Sequence, residues 1–217
     1  MPTPNEARQA FAIVTNRAVA AATKLVTTAT TDDLLEAIPQ MVAYFSDGTA
    51  ALAADHYDDL REEANVPGRY TAEPVVNLRD EKIRRGVLWA VEPLYLAEPV
   101  VGLATERLAQ VVSLETARPF RDTIITNQAD DPQAVGWQRH SRSSGCRFCR
   151  MLAGRGAVYR QATARFASHP HCSCTAAPVF SGTAGPEAST LQYIASQRRR
   201  SEADKARLRA YLAALPD

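Results

Sequence analysis

All four cysteines of the chain fall within 29 residues, as two close pairs: Cys146-x-x-Cys149 and, 22 residues later, Cys172-x-Cys174. A C-x-x-C turn curls backbone around one centre, and residues two apart on an extended strand face the same side. Both pairs can therefore meet at one point, which requires the chain between them to fold back on itself. Four thiolates suit a closed tetrahedral Zn²⁺ site, and Cys146, Cys149, Cys172 and Cys174 are the expected ligands of a structural zinc. Reduced packing cysteines or facultative disulfides, and a nucleophilic cysteine, are the competing readings. His169 and His171 flank the second pair as further metal or catalytic candidates, although strand alternation turns His171 away from its cysteine neighbours.

The cysteines lie in a stretch of unusual charge. Residues 1–131 carry 12 basic and 20 acidic side chains, a net of −8. Residues 132–186 carry seven arginines, no lysine and no acid, a net of +7, and residues 187–217 return to +2. The division predicts an acidic helical body (1–131), a basic Cys/His module (132–186) and a C-terminal helical tail (187–217). Either the arginines dock the module onto the acidic body, or they face phosphate or an acidic partner. Arg142, Arg147, Arg150, Arg155 and Arg160 are the candidate anion or DNA contacts. Arg147 and Arg150, in or beside the first cysteine pair, also lower the cost of an anionic metal–thiolate centre.

A composition of 46% hydrophobic and 23% charged residues excludes a disordered chain. No run of 18 apolar residues exists, so no membrane span is predicted, and the N-terminal stretch lacks the basic region of a secretory signal. The expectation is a soluble protein of a reducing cytoplasm.

The body reads as helices. Thr3-Pro4-Asn5-Glu6 has capping-box form, and Ala7, Phe11, Val14, Ala18, Ala21 and Leu25 make one amphipathic stripe. Thr30-x-x-Asp33 opens a second helix with Leu34, Leu35, Ile38, Val42 and Phe45 inward and a kink at Pro39. A break is predicted at Ser46-Asp47-Gly48, and a turn at Asn65 to Gly68. A third helix starts near Asn77, facing inward through Ile83, Val87, Leu88, Val91 and Leu94. A fourth carries Leu103, Leu108, Val111, Val112 and Leu114 to a boundary at Arg118-Pro119, with a short separate helix over 120–127. Tyr70, Trp89 and Tyr95 are expected in or near the core, and His56 exposed among acids. After residue 132, short strands are predicted at 157–159 and 172–180, with one or two helical turns at 146–152. The fold class is mainly α: a helical N-terminal body, a small α+β cysteine-containing module and a C-terminal helix.

Catalytic alternatives rest on residue type alone. Cys146 or Cys172 with His169 or His171 makes a possible thiol–imidazole pair. Ser141, Ser143 or Ser144 with His140 or His169 makes a possible serine site.

The order Gly136-Trp137, Cys146-x-x-Cys149, Met151 to Gly156, Tyr159, Phe166, His169-Pro170-His171-Cys172-Ser173-Cys174 and Pro178-Val179-Phe180 resembles the C-terminal domain of Mu F-like phage minor head proteins. The resemblance covers residues 120–180. It implies head morphogenesis: a protein of few copies, partnered with the portal and with scaffold or major capsid protein, with non-specific DNA contact as a further expectation. Such a protein would be found in the host cytoplasm during assembly and then in the head interior. Relatives of this kind are often labelled capsid maturation protease, so cleavage of scaffold or capsid protein is the alternative. A zinc-ribbon-like nucleic-acid module is a third reading.

Overall fold

The computed structural model describes residues 4–76, 79–142, 144–156, 159, 166, 168–180, 206 and 210. Thr3 of the expected capping box, Ser143, Arg160, the strand positions 157 and 158 and nearly all of the expected tail helix lie outside the described residues. The elements run α1 (Pro4–Leu25), α2 (Thr31–Glu63), α3 (Asp80–Val91), a 3-10 turn (Glu92–Tyr95), α4 (Val101–Asp130), β1 (Ala134–His140), α5 (Arg147–Ala153) and β2 (Thr175–Phe180). The fold is mainly helical, with one small two-stranded sheet. None of the described helices is long and apolar enough to cross a membrane.

Helix α1 opens on Pro4, whose missing N–H costs nothing at a first helical position. Its buried residues are Ala7, Phe11, Thr15, Ala18 and Ala22, with Val26 buried just beyond its end, so the inward stripe slips by one residue from the expected Val14, Ala21 and Leu25. Thr15 tolerates burial because its hydroxyl donates to the Phe11 carbonyl at 2.9 Å. Helix α2 opens on the expected capping box: the Asp33 N–H donates to Thr30 Oγ1, and the Thr30 N–H donates to the Asp33 carboxylate.

Two expected helix breaks are absent. Helix α2 runs unbroken through Ser46-Asp47-Gly48, and α4 runs through Pro119. A mid-helix proline withholds the N–H that would serve the carbonyl four residues earlier. For Pro119 that carbonyl belongs to Glu115, and the Ser46 hydroxyl approaches it at 3.5 Å. One turn along, Thr49 Oγ1 donates to the Thr116 carbonyl at 2.9 Å. The Ser and Thr that resemble a break in the second helix instead supply hydroxyls to α4. Pro39 also lies inside α2, and the carbonyl it leaves unserved, that of Leu35, accepts from Arg84 of α3 at 2.7 Å.

Helix α4 is the spine, packed against α1, α2, α3 and both strands. Leu108 and Val112 join Ala18, Ala22, Ile38, Val42, Ile83 and Val87 in one apolar cluster. Ala117, Phe120 and Ile124 join a second, which takes Phe11, Ala53 and Tyr57 from the helices and Trp137, Ala176 and Phe180 from the sheet. Helical body and sheet thus share apolar packing. Where α3 crosses α4, the side chain of Val111 fills the space a Cβ on Gly86 would need.

Exposure differs from expectation at Trp89, Tyr95 and His56. Tyr95 is 71% exposed, and Trp89 is exposed with the Arg107 guanidinium 4.8 Å over its ring. Tyr70 is half-buried, its hydroxyl donating to Asn127 Oδ1. His56 is only 2% exposed, beside Phe120 with ring centroids 6.4 Å apart.

Candidate metal centre

Strand β1 pairs antiparallel with β2, from His140↔Thr175 to Ala134↔Phe180. The Trp137 N–H also donates to the Tyr159 carbonyl at 2.7 Å. Trp137 stacks on Tyr159 at 4.3 Å and on Phe166 at 5.7 Å between centroids. These contacts turn the segment after β1 back over the sheet, and Phe148 and Phe166 pack against the cysteines.

Cys146 is the N-cap of α5, its sulfur accepting from the Cys149 N–H at 3.4 Å, so one helical turn carries both thiols of the first pair. Cys172 and Cys174 lie just before β2 and are buried. All four cysteines are free thiols, and Cys146 is the exposed one.

The sulfurs converge with His169. His169 Nε2 lies 3.2 Å from both Cys146 Sγ and Cys149 Sγ. Cys149 Sγ lies 3.6 Å from Cys172 Sγ. Two groups of donor atoms result, Cys146–Cys149–His169 and Cys149–Cys172–Cys174, each within 4.8 Å and sharing Cys149. The other ring nitrogen of His169, Nδ1, is 2.8 Å from the Pro170 carbonyl, which can only accept. The proton therefore sits on Nδ1 and the Nε2 lone pair faces the sulfurs, the orientation seen in metal-bound histidines.

This cluster could hold a metal ion. A tetrahedral zinc with Zn–S of ~2.3 Å puts its sulfurs ~3.8 Å apart and a sulfur and a nitrogen ~3.5 Å apart. The observed separations lie a few tenths of an ångström inside those edges, and the donors are the soft thiolates and imidazole that zinc accepts. Each group brings together three of the four donors a tetrahedral site needs, and Cys149 belongs to both.

The electrostatics favour thiolate at Cys172 and Cys146 and the thiol at Cys149 and Cys174. The hydrogen bond from Cys149, then Cys174 and the Arg121 guanidinium, hold the Cys172 thiol far below its ordinary range, while the same contact with Cys172 pushes Cys149 up. Burial resists ionisation of Cys146, but the Cys149 N–H and His169 outweigh it and lower its pKa. Burial likewise opposes charge on His169, yet the Pro170 carbonyl and the cysteines raise its pKa above 6.5.

His171 does not join the cluster. It is exposed, has φ 59°, and its backbone N–H donates to Ser113 Oγ at 3.0 Å. Neither Ser141 nor Ser144 hydrogen-bonds a histidine ring; the Ser141 hydroxyl donates to the Arg142 carbonyl. Arg142, Arg147 and Arg155 are exposed, Arg150 is half-buried, and Arg160 lies outside the described residues. Arg139 is buried, its guanidinium 3.7 Å over the Phe166 ring. Sequence reasoning missed Arg121 of α4, which reaches the carbonyls of Cys172 and Cys174. An arginine at an inward position of an amphipathic helix was the signal available.

The chain matches the family described as VG15 protein over residues 3–200. It belongs to the VG15 family. This is a phage protein family, and the match spans both the helical body and the Cys/His cluster. No curated protein and no solved structure matches this VG15 protein.

Proposed function

We propose that this VG15 protein is a tailed-phage head-morphogenesis protein, a Mu F-like minor capsid component that works with the portal during procapsid assembly. The observation that carries the reading is the gathering of Cys146, Cys149, His169, Cys172 and Cys174 into two donor groups that share Cys149, in a chain of a phage family. These are the motif residues on which the Mu F-like resemblance rests. In this reading a structural Zn²⁺ staples the basic Cys/His module of residues 132–186.

The division of labour follows the charge. The acidic helices of residues 1–131 offer a surface to portal, scaffold or major capsid protein. Exposed Arg142, Arg147 and Arg155 offer one to phosphate, with DNA bound without sequence preference. The protein acts in the host cytoplasm during assembly and is then retained in the head interior.

Co-expression with the phage's portal, scaffold and major capsid proteins tests this reading. Co-purification with portal or procapsids, at low copy number and with about one zinc per chain, is the expected result. A zinc-loaded chain that stays apart from all three proteins overturns the assignment. In the same preparation, DNA affinity that does not fall with rising salt removes the DNA contact.

A second reading, a capsid maturation protease, is favoured by one observation: exposed Cys146 lies at a helix N-terminus, 3.2 Å from His169 Nε2. It predicts cleavage of scaffold or capsid protein on co-expression. Cys146→Ala would abolish that cleavage while zinc content and thermal stability stay unchanged.

A further inference from the structure

Arg121 lies in the middle of α4 and is 3% exposed. Its Nε donates to the Cys174 carbonyl at 3.0 Å, and its Nη2 donates to the Cys172 carbonyl at 2.6 Å. Its guanidinium sits 4.7 Å from the ring centroid of Phe166 and 5.5 Å from that of Phe11. None of these partners is a carboxylate. The nearby acids of α4 are engaged elsewhere: Glu115 with Arg79 and Lys82, and Asp122 with Arg118.

A cation buried among carbonyls and rings costs several kcal/mol unless an opposite charge stands close. A second buried guanidinium, Arg139, lies against the same Phe166 ring and makes that cost larger. The cysteines whose carbonyls Arg121 holds, Cys172 and Cys174, can carry that opposite charge on their sulfurs. Three thiolates and a neutral histidine around a divalent ion leave a net charge of −1, and four thiolates leave −2. A thiolate–metal centre beside Arg121 supplies the missing anion without protons leaving or entering the buried site.

We infer that Arg121 is the positioning residue and counter-charge of the metal centre, binding the segment that carries Cys172 and Cys174, just before β2, to α4 so that metal loading and docking of that segment on the spine are one event. This rests on the metal reading above and assigns part of the affinity to a residue of the helical body. The guanidinium fork fixes the backbone of both ligands, and the charge lowers the cost of holding their thiolates together. The loaded cluster in turn makes burial of Arg121 favourable.

The experiment uses the full chain and zinc alone. Zinc affinity is measured by competition with a chromophoric chelator for wild type, Arg121→Lys and Arg121→Gln, and the thiolate-to-cobalt charge-transfer band is recorded after Co²⁺ substitution. Wild type is expected to take one zinc. Arg121→Gln is expected to bind it at least tenfold more weakly, with a displaced cobalt band, and Arg121→Lys to stay within about threefold. Equal affinity and an unmoved band in a folded Gln variant overturn the inference and leave the metal site standing. A wild-type chain that binds no zinc overturns the metal reading and the inference with it. If the Gln variant does not fold, the Lys variant decides, because a tenfold loss there shows that retained charge is not what matters.

Discussion

Arg84 of α3 donates from Nη1 to the carbonyl of Leu35 in α2 at 2.7 Å, the carbonyl that Pro39 has no N–H to serve. A lesion in one helix is thereby filled by a neighbour. Arg84→Ala is expected to cost about 1 kcal/mol, since the freed carbonyl is partly accessible to water. In a Pro39→Ala background, where residue 39 regains its N–H, the same change should cost less than half as much. Urea titration of the four chains gives the coupling directly; equal costs in both backgrounds would show that Arg84 does not serve Leu35.

At the α3–α4 crossing, a Cβ placed on Gly86 would lie 2.8 Å from Val111 Cγ1. Valine is stiff at χ1 and cannot swing aside cheaply. Gly86→Ala should therefore destabilise the protein by about 1 kcal/mol, despite the helix-propensity gain of similar size that alanine brings. With Val111→Ala already present the sign should reverse, and thermal melts of the single and double variants test this.

Cys149 belongs to both donor groups, whereas Cys146 belongs to one and is exposed. Cys149→Ser is expected to abolish zinc uptake and to cost the loaded protein at least about 3 kcal/mol of stability. Cys146→Ser should weaken uptake without abolishing it, because four donors remain. Metal content by elemental analysis, together with melting before and after chelation, checks the order. A Cys149→Ser chain that retains full zinc would contradict the shared position of this sulfur.

Burial, and next the neighbouring His140, pull the His56 pKa from 6.5 down to about 4. The folded chain therefore keeps His56 neutral over a range in which the unfolded chain binds a proton. The stability tied to the neutral ring is fully present above about pH 6.5, falls as pH drops towards 4, and levels off below that, with a span of up to about 3 kcal/mol. His56→Leu should flatten this part of the profile. Urea unfolding of both chains between pH 4 and 7.5 reads the difference, and parallel profiles would assign the acid sensitivity to other groups.

How much of this was legible in the sequence depends on how far apart the deciding partners lie. The Thr30–Asp33 cap, the inward face of α2 and the helical turn at Cys146–Cys149 are local, and the sequence displays them; of the expected inward face of α3, Ile83, Val87 and Val91 are buried but Leu88 is 51% exposed. The pairing of β1 with β2 was not visible, because β1 is a short strand whose alternation is hidden by glycine and polar residues. Ser46 and Pro119 mislead for one shared reason: each looks like a helix terminator alone, and each is accommodated through the other's helix. His56 stands in an acidic run, but Phe120, from another helix, decides its burial. Cysteine spacing pointed to the cluster; His171 stands outside it, though not by the strand alternation expected of it, since β2 begins only at Thr175. The role of Arg121 was hidden because its partners are backbone carbonyls more than 50 residues away, and carbonyls leave no mark in sequence.

His140 and Thr175 are register partners across the two-stranded sheet. The 34 residues between them, which include every cysteine, therefore begin and end at adjacent points of the sheet. Closing a loop of that length costs chain entropy, and the contacts of Arg121 with the carbonyls of Cys172 and Cys174 help to offset it from the helical side.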